Sequence, residues 1–305
     1  MAIANFIPEL WSAAVQVGFE KELIFSQASV ANRNYEGMIT QMGDTVHVTS
    51  IGAPTINTYD KSIDITIEDL SDSDTELVIN QGKYFAFRVN DVDKVQAAGN
   101  FQGPATDQAG TGLKDALDAY IAGLYYAGAD SANKVGRVTV WDGVDFTVPA
   151  TGQKTAYDVL ALLKAKLDAQ SVPTVGRYAI LDAATGGALA YDKRLTSVAH
   201  SGSDQTLRNG VIGRVQGFDV MVSNNVQLVG GSGADKSDRV IVAGVPGAVS
   251  VAQQILETEA LRDGNRFADI VRGLSVFGGK VMMPKGIATA TVTVAAGTAV
   301  GATAE

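Results

Sequence analysis

A chain of 305 residues is long enough to bury a sizeable core and, at roughly 150 residues per domain, to form one large domain or two. With 46% hydrophobic and 19% charged residues it is neither a disordered chain nor a coiled coil. Its 24 basic and 33 acidic residues give a net charge of −9 with no Lys/Arg block, which argues against a dedicated nucleic-acid binder. The absence of cysteine excludes disulfides, thiolate metal sites and a cysteine nucleophile. Thirty-three glycines, above the usual ~7%, point to many turns and a β-rich mixed fold. The opening MAIANFIPELW has no basic n-region and meets Pro8 and Glu9 early, unlike a secretory signal, and no apolar run approaches a membrane span. The expectation is a soluble chain made in the cytoplasm.

In chain order, Phe6 to Phe25 places Leu10, Trp11, Ala14, Val15 and Gly18 on one helical face behind Pro8. This predicts an amphipathic helix with nothing local to pack on. From Thr45 the period becomes two: Val46 and Val48 alternate with His47 and Thr49, and Ile63, Ile65 and Ile67 alternate with Asp64, Thr66 and Glu68. Both read as strands, joined by the polar link Gly52 to Ser62. The acidic run Glu68 to Glu76 reads as a second polar turn before Leu77 to Val89, so the whole stretch is a protruding hairpin. Asn90 and Asp93 read as the cap of a short helix ending at Gly99.

A longer helix follows from the spacing of Leu113, Ala116, Leu117, Tyr120, Ile121 and Leu124. Thr155 and Asp158 form a capping box ahead of Leu160, Leu163 and Leu167, with Pro173 beyond the end. Strands are predicted at Tyr178 to Leu181, Phe218 to Val222 and Arg239 to Val245, and a helix around Val249 to Leu261. Thr289, Thr291 and Thr293, alternating with Ala290, Val292 and Val294, make a closing strand, and AAGTAVGATAE reads as a loose tail.

Chemistry-bearing motifs fail one by one. Neither of the two histidines, His47 and His200, has a second histidine at i+3 or i+4, which excludes a zinc-hydrolase helix. His47 reads as the exposed face of a strand. His200 with Ser201 and Ser203 superficially offers acyl-transfer residues, but no strand–GxSxG–helix elbow surrounds them. GLSVFGGK (Gly273 to Lys280) and GGSGAD (Gly230 to Asp235) miss the phosphate-loop spacings. Asp69, Asp72 and Asp74 lack the glycine and closing glutamate of a calcium loop. No catalytic residue, metal site or cofactor is implied.

Two segments, LRNGVIGRVQGFDVMVSNNV (Leu207 to Val226) and ETEALRDGNRFADIVRGLSVFGGKVMMPKGIATATV (Glu257 to Val292), closely resemble segments of the major capsid proteins of tailed double-stranded-DNA bacteriophages, the Caudovirales. The opening FIPELWSAAVQVGFEKELIFSQASVANRNYEG followed by GDTVHVTSIG is similar to that family's N-terminal arm and first strand. The resemblance implies an α+β fold of the Hong Kong ninety-seven type. It implies an N-terminal arm (1–43), an E-loop hairpin (44–89) and a peripheral domain (90–149) with a spine helix at Gly112 to Gly128. An axial α/β domain (150–250) and closing peripheral strands with a C-terminal tail (251–305) complete it.

It also implies a non-enzymatic subunit of an icosahedral virion capsid, assembling with itself into hexamers and pentamers that enclose double-stranded DNA without sequence-specific binding. Scaffolding, portal and decoration proteins are further partners, and no membrane is involved. The expected subunit-interface residues are Leu10, Trp11, Val15 and Phe19 of the arm and Lys61, Ile63, Ile65 and Ile67 of the hairpin. Lys61 stands near a loop tip, where a minority of the family cross-link a lysine to a neighbour's asparagine; an ordinary solvated lysine is the simpler reading. Two other readings remain at this stage: an encapsulin-like nanocompartment shell, and an α/β serine hydrolase using Ser201 or Ser203 with His200.

Overall fold

The computed structural model describes residues 23–35, 44–52, 54–59, 61, 64, 67–69, 72–90, 102–143, 147–196, 213–230, 238–264 and 266–299. Along the chain come β1 (Thr45–Ile51), β2 (Asp72–Val78) and β3 (Gln81–Asn90), then a long helix, Gln102–Gly128. β4 (Lys134–Trp141) and β5 (Thr147–Val148) precede the helix Ala156–Ala169, and β6 (Tyr178–Leu181) precedes two short helices, Ala183–Ala190 and Lys193–Thr196. β7 (Arg214–Val215), β8 (Phe218–Val222), β9 (Leu228–Val229) and β10 (Asp238–Gly244) follow. Then come β11 (Val249–Arg262), β12 (Ala268–Val281), β13 (Ile287–Ala295) and β14 (Thr298–Ala299). The fold is α+β. None of the described helices is long and apolar enough to cross a membrane.

A mixed sheet runs in the order β4-β13-β10-β6-β8-β7, with β9 beside β10. Its middle strands are buried on both faces, which is why Tyr178 to Leu181 is an unbroken apolar run. Alternate residues divide between two cores: Tyr178, Ile180, Val240 and Val242 meet the long helix, while Ala179, Leu181, Ile241 and Ala243 meet Leu160, Leu163 and Leu167 of the helix Ala156–Ala169. That helix begins as expected. The Asp158 backbone N–H donates to Thr155 Oγ1 at 3.2 Å and the Thr155 N–H donates to Asp158 Oδ2 at 3.1 Å. β7 and β8 are joined by Gln216 and Gly217, both at positive φ (54° and 87°), the two-residue turn whose twist matches a hairpin.

The second layer is the sheet β11-β12-β3. β11 corrects the helix expected over Val249 to Leu261. Gln253 to Arg262 favours helix locally, but it pairs with β12 from Val249 opposite Val281 to Arg262 opposite Asp269, with one irregularity at Ile255/Glu257. Long-range pairing overrides a weak local preference. One face of this sheet covers the long helix, with Phe277 against Tyr120 at a centroid distance of 5.4 Å. On the opposite face the hairpin root packs through Val46, Leu77 and Ile79 onto Ala252 and Val276. The approach is close enough that a Cβ on Gly278 would stand 2.3 Å from the Val78 carbonyl oxygen.

Other expectations shift in extent. β1 and β2 pair in antiparallel register from Thr45 opposite Val78 to Ile51 opposite Asp72, so the acidic run is not all turn: Asp72 to Glu76 is strand, its charged side chains turned to solvent while Leu77 is buried. β3 leaves β2 at Ile79–Asn80 and joins β12 instead, so Leu77 to Val89 is not one unit. Asn90 ends β3, and the short helix expected after it falls outside the described residues. The long helix starts at Gln102 rather than Gly112, with Pro104 in its first turn, where a missing N–H costs nothing. The tail is not wholly loose, since Thr298 and Ala299 pair with Val148 and Thr147.

Of the helix expected over Phe6 to Phe25, residues 6–22 lie outside the described residues. Ile24 and Phe25 sit in turns and are buried in the chain's own core rather than left for a neighbour. The segment is pinned: the Ser26 N–H donates to Asp118 Oδ1 at 2.8 Å, and Asn32 bridges Ser250 of β11.

Candidate functional site

The described part of the loop between β1 and β2 lies exposed, and its two limbs are tied by the Thr55 N–H donating to the Glu68 carboxylate. It carries large apolar side chains in water: Ile56 is 95% exposed, Tyr59 76% and Ile67 91%. Ile67 is not in a strand, and Lys61 stands exposed at a turn of the same loop. Ile63 and Ile65 lie outside the described residues, as do Leu10, Trp11, Val15 and Phe19, and as do His200, Ser201 and Ser203. Ile56 and Tyr59 carry no signal in the sequence, because they sit in a polar link with no periodicity.

A second apolar surface continues the sheet face on which the hairpin root packs. Residues two apart share a face of a strand, so beyond Val276 the same face of β12 presents Leu274 and Arg272. β3 adds Tyr84 and Ala86, and β11 adds Glu259, by register. Here nothing in the described chain covers the face: Tyr84 is 77% exposed, and an open groove of about 660 Å³ lies along Tyr84, Leu274, Ala86 and Arg272. Arg272 Nε donates to Glu259 Oε2 at 2.8 Å, giving the groove a charged rim. The groove is thus an apolar surface with a charged rim that no described part of the chain covers.

The outer face of the hairpin root carries the one concentration of ligand-type groups among the described residues. His47 on β1 lies directly opposite Glu76 on β2, and Asp74 is two residues along the same strand face. His47 Nδ1 and Asp74 Oδ2 are 2.5 Å apart. That hydrogen bond first, then the charges of Asp74 and Glu76, raise the imidazole pKa above its ordinary value. The sequence singles out His47 and Asp74 separately, but not the pairing of β1 with β2 that joins them to each other and to Glu76.

No protein-family model matches the chain, and no curated protein matches it. Solved structures do. One from Mycobacterium phage Che8 is 32% identical, with a TM-score of 0.78 over 95% of this chain and 98% of the other. The capsid structure of cyanophage P-SCSP1u shares the fold at 16% identity and a TM-score of 0.73, over 96% and 94% of the two chains. The mature capsid of bacteriophage PhiM1 does so at 13% and 0.69, over 93% and 91%. The likeness to the Che8 chain and the fold shared with phage capsids set aside the serine-hydrolase reading: the chain belongs to the major capsid proteins of bacteriophages, and its role is structural rather than enzymatic.

Proposed function

We propose that this protein is the shell subunit of an icosahedral phage head, assembling into hexamers and pentamers that enclose the double-stranded DNA genome. In this reading the β1–β2 excursion is the E-loop and the helix Gln102–Gly128 the spine helix of the peripheral domain. β6 to β10 of the mixed sheet then belong to the axial domain (150–250), while β4 and β13 of the same sheet come from the peripheral segments 90–149 and 251–305; the chain is made in the host cytoplasm and carried in the virion.

The observation that supports it is the pairing of two unlike apolar surfaces on one chain: a loop exposing Ile56, Tyr59 and Ile67, and a groove along Tyr84 and Leu274. Two different patches that join copies make a heterologous contact, which closes into a ring where the rotation between copies divides the circle, as in a hexamer or pentamer. A net charge of −9 suits an inner wall that does not grip the nucleic acid it encloses. Scaffolding, portal and decoration proteins are the partners such a shell recruits.

The test is light scattering with negative-stain microscopy of the purified chain, alone and co-expressed with a scaffold. Closed or partly closed shells are expected; monomers or dimers under all conditions would overturn the proposal.

A further inference from the structure

The two strands of the hairpin root present an imidazole and two carboxylates to solvent on one face. The donor atoms of His47, Asp74 and Glu76 lie within 4.8 Å of one another. The arrangement follows from register, not from chance meeting of loops: His47 is paired with Glu76 across the strands, and Asp74 lies on Glu76's own side of β2. The opposite side of the same strands, through Val46 and Leu77, is packed into the core. The backbone that carries the three groups is therefore held by the β1–β2 ladder and by the packing of its inner face.

We propose that His47, Asp74 and Glu76 form a binding site for a first-row divalent cation, with Zn²⁺ as the best match. An imidazole nitrogen beside two carboxylates suits zinc, and unlike an all-oxygen set it does not select calcium or magnesium. Tetrahedral zinc at ordinary bond lengths of about 2.0–2.2 Å puts its ligands roughly 3.3 Å apart. The three donors lie within 4.8 Å of one another, a little wider than that spacing, and His47 Nδ1 and Asp74 Oδ2, 2.5 Å apart, separate to admit the ion. The remaining position faces solvent and takes water.

Charge favours occupancy. Asp72, Asp74 and Glu76 repeat at every second residue of β2, so three carboxylates stand in one row on the solvent side. Like charges side by side repel, and a bound dication relieves that repulsion. Because one ligand comes from β1 and two from β2, the ion staples the strands where the hairpin leaves the body of the protein. The proposal concerns this chain's own groups and stands whether or not the assembly reading holds.

The experiment is calorimetric titration of the full-length chain with ZnCl₂ near neutral pH, beside H47A, E76Q and H200A. Wild type and H200A are expected to bind one Zn²⁺ per chain, and H47A and E76Q to lose about 10-fold or more in affinity, as removal of a ligand should cost at least what loss of its support costs. Zn²⁺ should raise the thermal midpoint of wild type and not that of H47A. If H47A does not fold, E76Q alone decides. No saturable binding below ~1 mM, the range of millimolar dissociation constants, overturns the proposal. So does wild-type affinity in either H47A or E76Q, or loss of binding in H200A.

Discussion

Tyr178 donates its hydroxyl hydrogen to the Tyr125 hydroxyl at 2.8 Å inside the core, and Tyr125 in turn donates to the Val30 carbonyl at 3.1 Å. Two buried phenols from a strand and a helix thus satisfy a backbone acceptor in the arm segment. The chain of bonds ties three sequence-distant parts of the fold together, and the two rings meet edge to face at 6.4 Å.

The two phenols should not be equivalent. Tyr125→Phe removes the donor to Val30 and the acceptor of Tyr178, leaving buried groups unpaired at a cost of about 1–3 kcal/mol. Tyr178→Phe leaves the bond to Val30 intact and should cost roughly 0.5–1.5 kcal/mol. Urea unfolding of the two variants checks the order; equal effects would show that the bond to Val30 contributes nothing.

Substitution at Gly278 should be severe. A Cβ there meets the Val78 oxygen at 2.3 Å and the Ile79 Cα at 2.9 Å, both backbone atoms that cannot rotate away. Gly278→Ala is expected to destabilise by at least the ~1–3 kcal/mol typical of overpacking. Gly136→Ala in β4, where nothing lies within 4 Å of the added carbon, should stay within about 0.5 kcal/mol of wild type. Thermal melts of the two proteins side by side measure the contrast.

Acid should weaken the helix Ala156–Ala169 through Asp158. Burial pushes this carboxyl up, but hydrogen bonds from the Thr155 hydroxyl and backbone N–H and from Arg194, with the Arg194 charge, outweigh it and hold the pKa below the ordinary value of 3.8. A group depressed in the folded state stabilises above its unfolded pKa, and that contribution is lost as pH falls through the unfolded value to the lower folded one. Thermal midpoints between mildly acidic and strongly acidic buffer should therefore fall more steeply in wild type than in Asp158→Asn. Thr155→Ala should cost ~0.5–2 kcal/mol at neutral pH.

The loop surface should matter for assembly and not for folding. Burying a large apolar side chain contributes roughly 1.5–3 kcal/mol, and Ile56, Tyr59 and Ile67 are left in water within one chain. The triple variant I56S/Y59S/I67S is expected to stay soluble, keep the wild-type thermal midpoint and fail to form stable shells under the microscope. A lowered midpoint would place these side chains against their own chain instead.

Local patterns were legible because their causes lie within a few residues. Thr155 and Asp158 meet three positions apart, Leu160, Leu163 and Leu167 recur at helical spacing, and Val46 alternates with His47 on a strand whose two faces differ. The resemblance to capsid proteins likewise rested on contiguous segments, and the fold bears it out. What sequence alone left undecided depends on partners far along the chain. Gln253 to Arg262 has a helical composition and becomes strand only because β12 offers a ladder to pair with. Ile56 and Tyr59 became a surface only when the root of their hairpin was seen packed and its loop left bare. Tyr84 and Leu274 share a groove through register between β3 and β12, and His47 joins Asp74 and Glu76 through register between β1 and β2. Periodicity tells a strand which residues share a face, but only tertiary pairing decides which strand lies beside it and whether anything covers that face.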